Sequence, residues 1–223
     1  MDMMADHLGV IFDMDGVLID SYVAHFESWK FVAAEEGRSI TEEQFAATFG
    51  RTSREIIASR WGEGLTDQRI REIDNRKEAA YRRIIQKDFP AMHGAHELLE
   101  RLHGAGFLLA IGSSGPSDNI DVVLDRLQAR SLLTAIVSGD DVTRGKPDPQ
   151  VFLIAAERLH LPPARCVVVE DAPLGVAAAH AAGMAAIGFA STGRTREILV
   201  KAERVIDSLD EITPEVIRKL VAG

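Results

Sequence analysis

The sequence holds a single cysteine, Cys166, so no disulfide can form within the chain. It opens the apolar run Cys166-Val167-Val168-Val169, where a free thiol packs as a small hydrophobe; this usage fits a reducing compartment. Long basic runs are missing too, and the net charge is −9. Such a chain repels polyanions, which argues against a general nucleic-acid role. No segment reaches the roughly 18 apolar residues a membrane span needs. The most apolar one, from Val176 to Ala190, contains His180, Gly183 and Gly188. The stretch from Met1 to His7 carries Asp2 and Asp6 and no basic run, unlike a secretory signal. Internal repeats and low-complexity segments are absent. These absences lead to the expectation of a soluble cytoplasmic protein, a monomer or weak dimer, with no nucleic-acid or membrane partner.

The acidic charge has a second consequence. A small phosphorylated metabolite would also be repelled, so a site for one must bring its own cations, from Lys, Arg or a metal. The 223 residues, 46% of them hydrophobic and 26% charged, suffice for one large domain or a core with a modest insertion.

Short apolar runs at Val10–Phe12, Phe107–Ile111, Ala135–Val137, Cys166–Val169 and Ala185–Ile187 read as buried strands. Helical patterns alternate with them. Ala95–Leu102 carries Leu98, Leu99 and Leu102 at helical spacing, and Ile120–Leu127 and Pro149–Leu159 read similarly; Pro173–Ala182 is Ala-rich and stops at Gly183. Strand alternating with helix predicts an α/β fold, a Rossmann-like parallel sheet covered on both faces. Ligands of such sheets bind beyond the carboxyl ends of the strands.

From about Ser21 to Phe89 the pattern changes. No strand is evident; Thr41-Glu42-Glu43-Gln44 is a capping box, and Thr66 is placed to cap a long helix. Arg69, Arg71, Glu72, Asp74, Arg76, Lys77 and Glu78 crowd that helix as on a solvated face. The expected division is a core of residues 1–20 and 89–223 with an inserted helical cap at 21–88. Toward the C-terminus, Ser208-Leu209-Asp210-Glu211 and Thr213-Pro214 carry helix-start signals.

Four polar motifs each follow an expected strand. Asp13-Met14-Asp15-Gly16 sets two carboxylates at i and i+2, on one side of an extended segment, with Gly16 free to turn the chain sharply. Alone, it could equally bind calcium or cap a helix. Ser113-Ser114 offers hydroxyls and N–H groups to phosphate oxygens, or an N-cap for a helix beginning near Asp118. Lys146, in Gly145-Lys146-Pro147-Asp148-Pro149, could offset the charge of a carboxylate and a phosphate, or be a surface turn lysine. Glu170-Asp171 puts two acids at the end of a buried strand, costly there unless paired or bound to metal; the alternative is a helix N-terminal acid. Oxygen ligands of this kind suit magnesium. The joint occurrence of the four outweighs each separate alternative.

The set Asp13-x-Asp15-Gly16-Val17-Leu18-Ile19-Asp20-Ser21, Ser113, Gly145-Lys146-Pro147-Asp148-Pro149 and Glu170-Asp171-x-x-x-Gly175 resembles the haloacid dehalogenase superfamily. Within it, the chain looks like the branch of β-phosphoglucomutases and sugar phosphatases with a helical cap after the first motif. The resemblance covers nearly the whole chain. It implies that Asp13 attacks phosphorus to form an aspartyl phosphate, while Asp15 protonates the leaving oxygen and then deprotonates the incoming nucleophile. It also implies that Ser113 and Lys146 hold the phosphoryl group. Magnesium would be bound by Asp13, the Asp15 carbonyl, Asp171 and Glu170. The dehalogenases themselves lack the second Asp, so Asp15 favours phosphoryl transfer.

In the cap, His25, Arg54 and Lys77 match positions where β-phosphoglucomutases carry a hinge-coupled His, a phosphate-gripping Arg and a sugar-contacting Lys. Each has a plainer reading: His25 packed beside Trp29, Arg54 on a solvated helix start, Lys77 in a charge run. Ser114 continues as Gly115-Pro116, whereas the mutases tend to have side chains there that bind a distal phosphate. Ala172 replaces a Ser often found after the last motif. The expected function is therefore a magnesium-dependent phosphatase of small phosphorylated metabolites. β-Phosphoglucomutase is the alternative, and a non-catalytic binding protein on the same fold a remote one.

Overall fold

The alternating segments form a six-stranded parallel sheet in the computed structural model, which describes residues 7–48 and 51–222. The stretch from Met1 to Asp6, read above for a secretory signal, lies outside the described residues. The strands are β1 (Gly9–Phe12), β2 (Leu108–Gly112), β3 (Ala135–Val137), β4 (Cys166–Glu170), β5 (Ala185–Phe189) and β6 (Arg204–Ile206). Their order is β3-β2-β1-β4-β5-β6. The chain thus winds outward from β1 to β3, then returns to the centre at β4. That reversal leaves a crevice beyond the carboxyl ends of β1 and β4, where this class of sheet takes its ligands.

The helices are α1 (Tyr22–Glu35), α2 (Glu42–Ala46), α3 (Ser53–Trp61), α4 (Asp67–Lys87), α5 (Ala95–Gly104), α6 (Ser117–Leu127), α7 (Gln150–Arg158), α8 (Pro173–Ala181) and α9 (Pro214–Ala222). The two-residue period of the strands divides the core. Val10, Phe12, Val167 and Val169 pack with Leu98, Leu102, Val123 and Ile217 of α5, α6 and α9. Ile11, Cys166 and Val168 pack on the opposite face with Phe152, Ala155, Val176 and Ala179 of α7 and α8. Cys166 is buried and its thiol pushed up to about 12 by desolvation, so it behaves as an inert core residue.

No strand occurs among the described residues from Tyr22 to Lys87. The capping box at Thr41 starts α2, and Thr66 accepts from the Arg69 N–H to start α4. This segment has an apolar cluster of its own, built on Trp29, Val32, Ile56, Ile57, Trp61 and Ile73. Tyr81 and Ile85, further along α4, pack into the core instead.

One strand went unread in the sequence and one expectation needs correction. β6 went unread because it has three residues, one of them the exposed Arg204, too few to show a period. The signal at Ser208 starts only a single 3-10 turn over Leu209–Glu211, and the helix of this region begins at Pro214.

Candidate active site

Because the strands are parallel, all four polar motifs emerge at one edge of the sheet. Asp13 follows β1, Ser113 follows β2, and Glu170 ends β4 with Asp171 next; the Asp13 N–H still donates to the Val169 carbonyl at 2.9 Å, as if in the ladder. Lys146 arrives from the loop between β3 and α7. Its Nζ donates to Asp13 Oδ1 at 2.8 Å and Glu170 Oε1 at 2.6 Å, and all three side chains are buried. Glu170 Oε2 accepts from the Ala172 N–H at 2.8 Å. Lys146 is therefore a buried cation, and the surface-turn reading falls.

Two glycines make this packing possible. Gly16 has φ +80°, and a Cβ there would overlap Asp171 Oδ2; a Cβ on Gly175 would overlap the Glu170 carboxylate. The glycines of the first and last motifs thus make room for the two acids.

Asp13, Glu170 and Asp171 present carboxylate oxygens within 4.8 Å of one another. Burial pushes the Asp13 carboxyl well above the usual range; Lys146 pulls it back, and Glu170 and Asp171 push it up again. Asp171 is pushed up to about 7, first by burial and further by Glu170, against the pull of Arg194. Arg194 Nε donates to Asp171 Oδ2 at 3.2 Å. Burial works against the Lys146 charge as well, yet Asp13 and Glu170 outweigh it and hold the ammonium above its usual range. Three buried carboxylates against two cations leave negative charge that a divalent ion would offset. The all-oxygen donor set is that of a hard cation such as magnesium.

Asp15 turns the other way. Its Oδ1 accepts from His25 Nε2 and from the Tyr81 hydroxyl, each at 3.0 Å. Lys77 Nζ lies 2.8 Å from His25 Nδ1. An ammonium only donates, so Nδ1 is the acceptor and the ring proton sits on Nε2, aimed at Asp15. Burial opposes ionisation of Asp15, but His25, Ser21 and Tyr81 outweigh it and hold the carboxyl well below the usual range. His25 stacks on Tyr81, with centroids 4.0 Å apart, rather than merely packing beside Trp29.

Lys77 is buried with Asp74 and Glu78, whereas Arg71 and Glu72 are exposed. The charged run on α4 is thus solvated on one side only. Glu78 accepts from Lys77 at 2.9 Å, Ser53 at 2.6 Å and Asn119 Nδ2 at 2.7 Å. Arg82 Nη1 donates to Asn119 Oδ1 at 3.0 Å, so α4 is tied twice to α6. Arg54, at the start of α3, donates through Nε to Asp74 Oδ2 at 2.8 Å.

Ser113 Oγ accepts from the Gly115 N–H at 3.0 Å, while α6 is entered through Pro116 without a side-chain cap. The N-cap alternative for the serines falls. Asp13, Asp15, Ser113, Ser114 and Lys146 line one cavity of about 740 Å³ together with His25, Arg54, Lys77, Glu170 and Asp171. Asp74, Glu78, Tyr81, Asn119 and Arg194 join the networks around it without having been singled out beforehand. Tyr81 and Lys77 stand at i and i+4 on α4, one face of one helix, which was a usable signal. Arg194, in a turn after β5, gave none.

The chain matches the family described as haloacid dehalogenase-like hydrolase over residues 10–189. It is 32% identical over 208 residues to a validoxylamine A 7'-phosphate phosphatase of Streptomyces hygroscopicus, covering 91% of this chain and 94% of that one. It is 31% identical over 217 residues to a β-phosphoglucomutase of Bacillus subtilis, covering 94% and 93%. Among solved structures, a family IA, variant 3 hydrolase of the same superfamily from Entamoeba histolytica superposes with a TM-score of 0.87 at 27% identity, covering 97% of this chain and all of that one.

Proposed function

This chain belongs to the haloacid dehalogenase-like hydrolases, in the helical-cap branch of β-phosphoglucomutases and sugar phosphatases, and we propose that it is a magnesium-dependent phosphatase of small phosphorylated metabolites, sugar phosphates foremost. The observation that carries the reading is the contact of Lys146 with both Asp13 and Glu170 beside Asp171. It joins a buried nucleophile, a fixed cation and an oxygen-only cation site.

Of the described residues, 7–20 and 89–222 are read as the core, and 21–48 with 51–88 as the cap. Asp13 attacks phosphorus; an Asp13–phosphorus bond forms as the bond to the leaving oxygen breaks, and Asp15 gives that oxygen a proton. The low pKa of Asp15 is raised by an arriving phosphate dianion, which disfavours the second negative charge. Water then attacks phosphorus and passes its proton back to Asp15, releasing phosphate and Asp13. Ser113, with its oxygen already accepting from Gly115, has its hydroxyl proton to donate to the phosphoryl group; Ser114 stands beside it, and Lys146 adds charge. Asp13, the Asp15 carbonyl and Asp171 would hold magnesium, with Glu170 at the edge because both its oxygens already accept hydrogen bonds. Bound there, the ion supplies charge neutralisation for Asp13 and the phosphoryl oxygens.

The relatives include phosphatase and mutase at nearly equal identity, so the choice rests on this chain's residues. A mutase must hold a bisphosphate while it turns over. Here Pro116 has no N–H, the Gly115 N–H is spent on Ser113, and neither residue offers a side-chain donor. Two missing charge-assisted bonds, each worth roughly 1.5–3 kcal/mol, weaken distal binding on the order of a hundredfold or more. The test supplies β-glucose 1-phosphate with magnesium and a trace of glucose 1,6-bisphosphate, following glucose 6-phosphate and free phosphate together. Phosphate release as the main outcome supports the phosphatase; fast glucose 6-phosphate formation with little free phosphate establishes the mutase.

A further inference from the structure

Arg54 lies on the wall of the cavity facing the sheet, and 56% of its side chain is exposed. The carboxylate that holds it differs in character. Asp74 is 11% exposed and fixed on α4, one turn before Glu78. The acid is thus the anchored member of the pair and the arginine the movable one. An exposed guanidinium needs no partner, since water solvates it. Burying a carboxylate costs free energy, and the cost is visible here. Burial first, and Glu78 further, raise the Asp74 carboxyl above its usual range against the pull of Arg54.

Two neighbouring cations of this wall are held as well, while Arg51, which also lines the cavity, donates to the Glu55 carbonyl at 3.2 Å and to Ser59 Oγ at 3.1 Å. Lys77 is held by Glu78 and His25, and Arg82 by Asn119 with Asp118 at 3.5 Å. A second phosphate on the substrate would carry about two negative charges at neutral pH. It would meet Arg54 already neutralised, with Asp74 and Glu78 repelling it from close by.

We propose that Asp74 is a specificity-determining residue: by holding Arg54 it turns the site against substrates with a second phosphate and toward monophosphates whose remainder is uncharged and rich in hydroxyls. Those hydroxyls would donate to the carboxylate oxygens that repel phosphate. The proposal rests on the phosphatase reading above.

The test compares glucose 6-phosphate with glucose 1,6-bisphosphate, with magnesium, in wild type, Asp74→Asn, Arg54→Gln and the double variant. Two readouts are taken: the ratio of kcat/KM values for phosphate release, and the ratio of dissociation constants by calorimetry in an Asp13→Asn background. Asp74→Asn keeps the shape and removes the charge, and is expected to shift both ratios toward the bisphosphate by about tenfold, the effect of one charge-assisted contact. The shift should vanish when Arg54 is replaced as well. Unchanged ratios in Asp74→Asn overturn the proposal, and so does a shift that survives loss of Arg54. A wild-type enzyme that releases phosphate from neither sugar counts against glucose phosphates as its substrates instead, and the dissociation constants then decide on Asp74 alone.

Discussion

The two walls of the cavity handle charge in opposite ways. At the strand ends, Asp13, Glu170 and Asp171 crowd around Lys146 and Arg194, and the acids are in excess. Across from them, Arg54 pairs with Asp74 and Lys77 with Glu78, so the charges cancel. An unbalanced buried cluster is expensive alone and becomes favourable only with a cation and a substrate in place. A balanced wall attracts no ion; it selects by shape and hydrogen bonding. On the proposed reading chemistry and selectivity are separated, one at the edge of the sheet and the other on helices, of which α4 reaches the core through Tyr81 and Ile85.

If that division is right, the largest losses come from the sheet wall. Asp13→Asn removes the proposed nucleophile and metal ligand while keeping the shape, and turnover should fall on the order of 10³-fold or more. Phosphate release near the wild-type rate would break the comparison outright. Lys146→Ala comes next: it leaves Asp13 and Glu170 facing each other without their shared cation. The rate should fall on the order of 10²–10³-fold, and the fold should lose about 3–5 kcal/mol in denaturant melts, the cost of breaking a buried ion pair. A stable, active Lys146→Ala enzyme would mean that the cluster is balanced by other groups.

The charge excess also predicts a pH dependence. In metal-free protein, Asp13 and Asp171 have carboxyls raised above their unfolded values. The folded state therefore binds protons that the unfolded chain has released, and stability falls as pH rises from about 4 through about 7. Each such group contributes up to about 1.4 kcal/mol per pH unit within its window. Asp15, whose carboxyl is lowered, acts in the opposite sense and only below about pH 4. Thermal midpoints between pH 5 and 8 should decline in chelator and stay nearly flat in magnesium, where the ion replaces the protons. Parallel curves would show that no cation binds the cluster.

The sheet wall was legible in the sequence and the helical wall largely was not, for a physical reason. A parallel strand buried on both faces reads as an apolar run, and the residue that breaks it marks a fixed point in space. Asp13, Ser113 and Glu170 could therefore be brought together without coordinates. Positions on α4 lack such an anchor. Asp74, Lys77 and Glu78 look like the exposed Arg71 and Glu72 until it is known which side of the helix meets α3 and α6. Burial of Lys77 was hidden by its charged neighbours, and the Asn119–Glu78 contact joins positions 41 residues apart. The edge strand β6 escaped for want of length, not of chemistry.

The smallest effect should come where the walls meet. Tyr81, on α4, donates to Asp15 of the sheet wall while its ring stacks on His25. Tyr81→Phe keeps the stack and the volume and deletes one hydrogen bond to a carboxylate. Asp15 retains His25 as a donor, so the loss is partial: several-fold in kcat, with little change in melting temperature. The informative readout is the pH–rate profile. A carboxylate that loses a donor is harder to keep ionised, so the Asp15 pKa rises. In the proposed mechanism the step in which Asp15 takes a proton from water needs the ionised form, and the acidic limb of the profile should therefore move to higher pH. A fall in rate without that move would make Tyr81 a packing residue of α4. A move of the limb would make it the positioning residue through which the helical wall reaches the chemistry on the sheet.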